Sequence, residues 1–214
     1  MVPKVKICCI SSVEEARMAI AHGAAALGLV AKMPSGPGPI PDNLIREIAR
    51  TVPPPIATFM LTSETDAQAI IAHHTRTLTN TIQIVDELTA GSYDEIRTAI
   101  PSVKLVQVIH VMDEGSVDEA IRISTQVDAL LLDSGNPKAA IKELGGTGRT
   151  HNWQLSRKIV EQTRVPVFLA GGIHAGNVQQ AISEVGPFGI DLCSSVRTDG
   201  KLDPIKLESF FAAL

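Results

Sequence analysis

Aromatic residues are scarce in this sequence of 214 residues, with one Trp, one Tyr and five Phe making up 3%. No apolar run approaches the ~18–20 residues that a membrane helix requires. The N-terminus lacks the apolar stretch and small-residue cleavage site of a secretory signal. A soluble, cytoplasmic protein with no membrane partner is expected. Positive charge is not in excess either: 19 Lys+Arg stand against 23 Asp+Glu, a net −4. With no basic field to condense on phosphate backbones, nucleic acid is not an expected partner. The three cysteines, two of them adjacent at Cys8 and Cys9, neither pair up as a disulfide framework nor show the spacing of a zinc site. Thiol chemistry or plain burial remains for them. The rest is ordinary globular composition, 44% hydrophobic and 20% charged, enough to bury one substantial core.

Short runs rich in Val, Ile, Leu and Ala recur at intervals of roughly 25 residues, each followed by a segment of helical periodicity. There are about eight: Val5–Ile10, Ala26–Val30, Ile56–Leu61, Thr81–Val85, Lys104–His110, Ala129–Asp133, Val165–Ala170 and Gly189–Cys193. Most lack clean alternation, as parallel strands covered on both faces should. Ser12-Val13-Glu14-Glu15 reads as a capping box, with Gly23 ending that helix. Asp203 and Pro204 open the last helix, whose Leu207, Phe210, Phe211 and Leu214 form one apolar stripe. Pro53-Pro54-Pro55 and Ile100-Pro101 mark breaks. A helix is expected over Asp66–His74, with the Thr-rich Thr75–Thr81 as loop and His73-His74 at the surface. Trp153 and Phe210-Phe211 are read as helix-to-barrel packing. Strand-then-helix repeats leave an open doubly wound sheet or a closed barrel, and eight is the closing number. We therefore expect one domain, residues 1–214, folded as a single (β/α)8 TIM barrel.

In such barrels chemistry sits at the C-terminal ends of the strands, and phosphate is often held after strands seven and eight. Glycines at Gly145-Gly146-Thr147-Gly148 and Gly171-Gly172 would let backbone N–H groups approach an anion, or serve only as tight turns. Asn177 opens a helix whose dipole favours an anion, and Ser194 and Ser195 add donors. Asp133 ends an apolar strand, where an acid is either a helix cap or a site residue. On an extended strand Cys8 and Cys9 point to opposite faces, so only one would look into the mouth.

Taken in order, Lys6-Ile7-Cys8, Leu132-Asp133-Ser134, Gly145-Gly146-Thr147-Gly148 with Asn152-Trp153, Leu169-Ala170-Gly171-Gly172-Ile173, Asn177-Val178 and Asp191-Leu192-Cys193-Ser194-Ser195-Val196 resemble the successive motifs of phosphoribosylanthranilate isomerase. The closing Gly200-Lys201-Leu202-Asp203 fits too, and the resemblance covers nearly the whole chain. It implies an Amadori rearrangement in tryptophan biosynthesis, free of metal and cofactor, that turns an N-phosphoribosyl aminoaldose into a 1-deoxyribulose aminoketose. By the same resemblance Asp133 is the general acid at the ribose ring oxygen and Cys8 the general base at C2. Gly146, Thr147, Gly148, Gly171, Gly172, Ser194 and Ser195 would hold the phosphate, with Gln83 and Asp191 as further substrate contacts. The implied partner is a phosphorylated small molecule, and the assembly a monomer or homodimer.

The sequence departs from the family pattern where the anthranilate ring should be read. Cys9 stands in place of a glycine, Gly38 in place of a carboxylate-binding arginine, and Val85 in place of a histidine. Losing the arginine is expected to weaken binding on the order of 10- to 150-fold unless another cation moves in. Lys32 is the nearest candidate, and Asp86 and Glu87 make the neighbourhood less hospitable to an anion. Ser195 and Arg197 also replace family residues. Arg197 is read as a surface residue or a substitute charge. His110 is read as a solvated strand end or a substitute polar contact. The same acid/base pair acting on an amino-sugar phosphate without a carboxylate, or a non-catalytic phosphometabolite-binding barrel, are the alternatives.

Overall fold

Eight parallel strands close on themselves in chain order in a computed structural model that describes residues 2–135 and 150–214. They are β1 (Lys4–Ile7), β2 (Ala26–Val30), β3 (Ala57–Thr62), β4 (Thr81–Ile84), β5 (Lys104–His110), β6 (Ala129–Asp133), β7 (Val167–Leu169) and β8 (Gly189–Leu192). Closure is made by β1 pairing with β8, Lys6 opposite Asp191 and Ile7 opposite Leu192. The helices between and after them are α1 (Val13–Ala21), α2 (Asp42–Thr51), α3 (Ala67–Thr77), α4 (Tyr93–Ala99), α5 (Glu114–Ser124), α6 (Trp153–Gln162), α7 (Val178–Val185) and α8 (Pro204–Ala212). This is the expected (β/α)8 barrel. Among the described residues no helix is long and apolar enough to cross a membrane.

Two cores follow from the alternation of side chains along each strand. Outward residues such as Ile7, Leu27, Leu29, Met60 and Ile190 pack against the helices. Inward residues such as Cys8, Val30, Leu61, Val108, Leu131 and Phe168 fill the barrel. Deeper in the barrel, Phe59 and Phe168 meet edge to face, centroids 5.8 Å apart. Gly189 makes that possible, since a Cβ there would lie 2.4 Å from the Phe168 ring.

Several local expectations shift. β1 stops at Ile7, because Cys9 takes a left-handed backbone with φ 62° and breaks the extended run. Helix α3 continues through Thr77 to a left-handed Leu78, correcting the expected Thr-rich loop. Thr75 and Thr77 donate their hydroxyls to the carbonyls of Ala72 and His74, so their polar groups are satisfied within the helix. His73 and His74 are buried, not at the surface. His73 bridges Thr62 Oγ1 at 3.0 Å and Asp42 at 3.1 Å, and His74 Nε2 meets the Thr79 carbonyl at 2.7 Å.

The caps at Ser12 and Asp203 are as expected, but the capping box is not closed, because Glu15 accepts from the Ser11 N–H at 2.9 Å and not from that of Ser12. Ser12 Oγ accepts from the Glu15 N–H at 3.1 Å and Asp203 caps α8 ahead of Pro204. Beyond β8 lie a 3-10 turn, Ser194–Val196, and a small antiparallel pair, β9 (Arg197–Thr198) and β10 (Lys201–Leu202). Asp199 and Gly200, both at positive φ, join that pair in the manner of a tight hairpin.

Candidate active site

Side chains two apart on a strand share a face, so Lys6 and Cys8 both point into the barrel. Lys6 is fully buried, and its ammonium meets Asp191 Oδ1 at 2.9 Å and lies over the Phe59 ring, 5.3 Å from the centroid. Gly28 leaves room for both residues: a Cβ there would sit 2.7 Å from Cys8 Sγ and 3.0 Å from Lys6 Nζ. Burial works against the Lys6 charge, but Asp191 and then Cys8 outweigh it and hold the ammonium above the ordinary lysine value. Burial pushes Asp191 up, and Lys6 opposes it. Each charge offsets the burial of the other, since an unpaired charge at this depth would be far less stable. Lys6 is the site residue that sequence reasoning passed over. The signal was available, since a lysine two residues before a candidate base on a strand covered on both faces has only the barrel interior to enter.

Cys8 and Asp133 both border the mouth. The Cys8 thiol is held below its ordinary value by the Cys9 thiol beside it, against burial, with Lys6 adding to the same direction. Asp133 closes β6 and is buried. Burial raises its carboxyl above 3.8, against the Ser134 N–H, which donates to Oδ1 at 2.7 Å. A thiol lowered and a carboxyl raised in one cavity is the pairing that acid/base chemistry near neutral pH requires.

Gly171, Gly172, Ser194 and Ser195 line the same mouth, as do Gln83 and Asp191. Gly171 and Gly172 have φ of 80° and 63°, the left-handed region where glycine is favoured. The Gly172 carbonyl accepts from Asn177 Nδ2 at 2.9 Å, so Asn177 fastens this loop and makes no side-chain cap on α7. Gly145, Gly146, Thr147 and Gly148 lie outside the described residues. Gln83 is 3% exposed, and its Oε1 has no partner among the described residues.

A model of the N-(5'-phosphoribosyl)anthranilate isomerase family matches residues 5–213. The chain belongs to that family. N-(5'-phosphoribosyl)anthranilate isomerase 2 of Methanosarcina mazei is 34% identical over 209 residues, covering 97% of this chain and 92% of that protein. The isomerase of Nostoc punctiforme is 33% identical over 217 residues, 99% and 98% of the two chains. The crystal structure of the Thermotoga maritima isomerase superposes with a TM-score of 0.81 at 25% identity, covering 99% of this chain and 98% of that one.

Within this isomerase family frame, four expectations change. Cys8 and Cys9 both line the mouth, because the left-handed backbone at Cys9 removes the alternation that would have sent it to the opposite face. Arg197 is neither at the surface nor free for a ligand. Its side chain is 8% exposed, pairs with Glu15 at 3.1 Å, and donates to the Gly200 carbonyl at 3.0 Å and to those of Cys8 and Cys9. His110 is buried with Nε2 on the Val85 carbonyl at 3.0 Å, so it braces β5 against the end of β4 and does not border the mouth. Lys32 is exposed and outside the mouth lining. The loop after β2 folds back, Ile40 N–H to the Val30 carbonyl at 2.8 Å, and lays Gly38 against Cys9.

Proposed function

We propose that this chain is a phosphoribosylanthranilate isomerase whose acid is Asp133 and whose base is Cys8. The observation that carries the assignment is the meeting of a raised carboxyl and a lowered thiol at the mouth of a barrel of this family. Asp133 gives its proton to the ribose ring oxygen; the C1–O bond breaks, O4 becomes a hydroxyl, and the nitrogen lone pair forms the protonated imine. The Cys8 thiolate then takes the C2 proton, and those electrons form the C1–C2 double bond of the enolamine while the iminium charge is discharged. Protonation at C1 and loss of the C2 hydroxyl proton give the aminoketose, with no net change in protons. Lys6, held in its pair with Asp191 beneath Cys8, favours the thiolate that takes the C2 proton. Gly171, Gly172, Ser194 and Ser195, with Gly146, Thr147 and Gly148, are read as the phosphate cradle, and Gln83 as a substrate contact whose unpartnered Oε1 accepts from a sugar hydroxyl. This reading carries a cytoplasmic location and a monomer or homodimer with it.

A second reading of the aglycone has its own support. Asp133 and Asp191 are the charged side chains lining the mouth among the described residues, Lys6 lies buried beneath it in its pair with Asp191, and Gly38 and Val85 stand where the resemblance puts an arginine and a histidine. A phosphorylated amino-sugar without a carboxylate would suit such walls. The test is conversion of freshly generated phosphoribosylanthranilate, followed by loss of anthranilate fluorescence, beside the aniline analogue that lacks the carboxylate. Preferred turnover of the anthranilate compound supports the first reading, preferred turnover of the analogue the second, and turnover of neither overturns both.

A further inference from the structure

Three cysteines meet at the mouth, and the proposed mechanism uses one of them. Cys9 is 5% exposed and holds a left-handed backbone that a Cβ makes unfavourable. Its Sγ touches Cys193 Sγ at 2.6 Å across the seam where β1 and β8 close the barrel. Its thiol also faces the Pro37 carbonyl at 3.6 Å. Cys193 is half-buried and borders the mouth, so it is the member of the pair that solvent reaches more readily.

We propose that Cys9 and Cys193 are a dithiol modification site, oxidised by a low-molecular-weight disulfide to a bridge that ties the end of β1 to the end of β8 beside Cys8. The two sulfurs, in contact at 2.6 Å, need only a short approach to reach the ~2.05 Å of a disulfide bond, and they follow the ends of two hydrogen-bonded strands. Cys8 is a poor alternative partner for Cys9, because adjacent Cα atoms sit ~3.8 Å apart, below the ~4.4–6.8 Å that disulfides span.

The chemistry balances as two exchanges. The Cys193 thiolate attacks one sulfur of the reagent, the reagent S–S bond breaks, and one thiolate leaves. The Cys9 thiolate then attacks Cys193 Sγ and expels the second. The two protons lost by the cysteines end on the two reagent thiols; the protein pair is oxidised by two electrons and the reagent reduced by two. Hydrogen bonding to Cys193, then to Cys8, and burial push the Cys9 thiol up, which leaves the first attack to Cys193. Oxidation removes the Cys9 S–H that favours the Cys8 thiolate, so turnover should fall about tenfold.

The chemical test is independent of the isomerase reading, whereas the turnover arm rests on it. Folded wild-type protein is incubated with oxidised glutathione, alkylated, digested and weighed. The expected product is the Cys9 peptide joined to the Cys193 peptide, two hydrogens lighter than the separate thiols and released by dithiothreitol. The link should persist in Cys8→Ser and vanish in Cys9→Ser and Cys193→Ser. Three free thiols, a stable glutathione adduct without a bridge, or a bridge through Cys8 overturns the proposal. A bridge in a protein that is inactive before and after oxidation retains the site and overturns the isomerase reading. A bridge with unchanged turnover in an active protein overturns the coupling to Cys8.

Discussion

Gly38 and Cys9 constrain each other. A Cβ at position 38 would lie 2.6 Å from Cys9 Cβ, and the backbone there has φ 81°. Gly38→Arg alone should therefore destabilise the fold by about 1–3 kcal/mol and restore no carboxylate contact. Adding Cys9→Gly removes the collision, and the double variant should recover more than the sum of the single effects, a coupling of about 1 kcal/mol or more in denaturant unfolding. Additive effects would show that the two sites are independent. Gly28 is the corresponding position beneath the base. Gly28→Ala drives a methyl against Cys8 Sγ and Lys6 Nζ. It should lower kcat/KM by about tenfold or more for a stability loss of only about 1–3 kcal/mol, read by kinetics beside thermal melting.

At the scale of elements, Glu15 links parts that are distant in sequence. Near the start of α1 it accepts from the Ser11 N–H at 2.9 Å, from the Leu202 N–H of β10 at 2.8 Å, and from Arg197 of β9. Arg197 in turn holds the carbonyls of Cys8 and Cys9, so the hairpin after β8 clamps the end of β1. Burial raises the Glu15 carboxyl, but Arg197 and the two backbone donors outweigh it and hold it below 4.5. A depressed folded-state value stabilises above the unfolded one and is lost as pH falls through the folded one. Glu15→Gln should cost about 3–5 kcal/mol at pH 7, by the logic of breaking a buried pair, and the gap from wild type in urea melts should narrow below pH 4.5. A gap independent of pH would contradict the linkage. The sequence carried the strand count, the caps at Ser12 and Asp203, and Cys8 and Asp133 at strand ends, because each is a local pattern. It did not carry Arg197 turning inward or His73 reaching Asp42, since those depend on partners far along the chain. Lys6 was readable from strand parity, but its partner Asp191, 185 residues away, was not.

At the scale of the molecule, the barrel brings the proposed acid from β6 and the proposed base after β1 into one mouth, and pH should report both. The thiol is lowered from 9.0 and the carboxyl raised from 3.8, so the two apparent values of a bell-shaped kcat/KM profile should fall inside that interval. Asp133→Asn should leave a single limb, and a flat wild-type profile between those limits would remove the assignment. The central claim is tested most directly by kcat on phosphoribosylanthranilate for wild type, Cys8→Ser and Asp133→Asn, each checked for an unchanged circular dichroism spectrum. The account predicts losses on the order of 10²- to 10⁴-fold in each variant. Turnover in either variant within about threefold of wild type would contradict it, since general acid or base catalysis is not lost so cheaply.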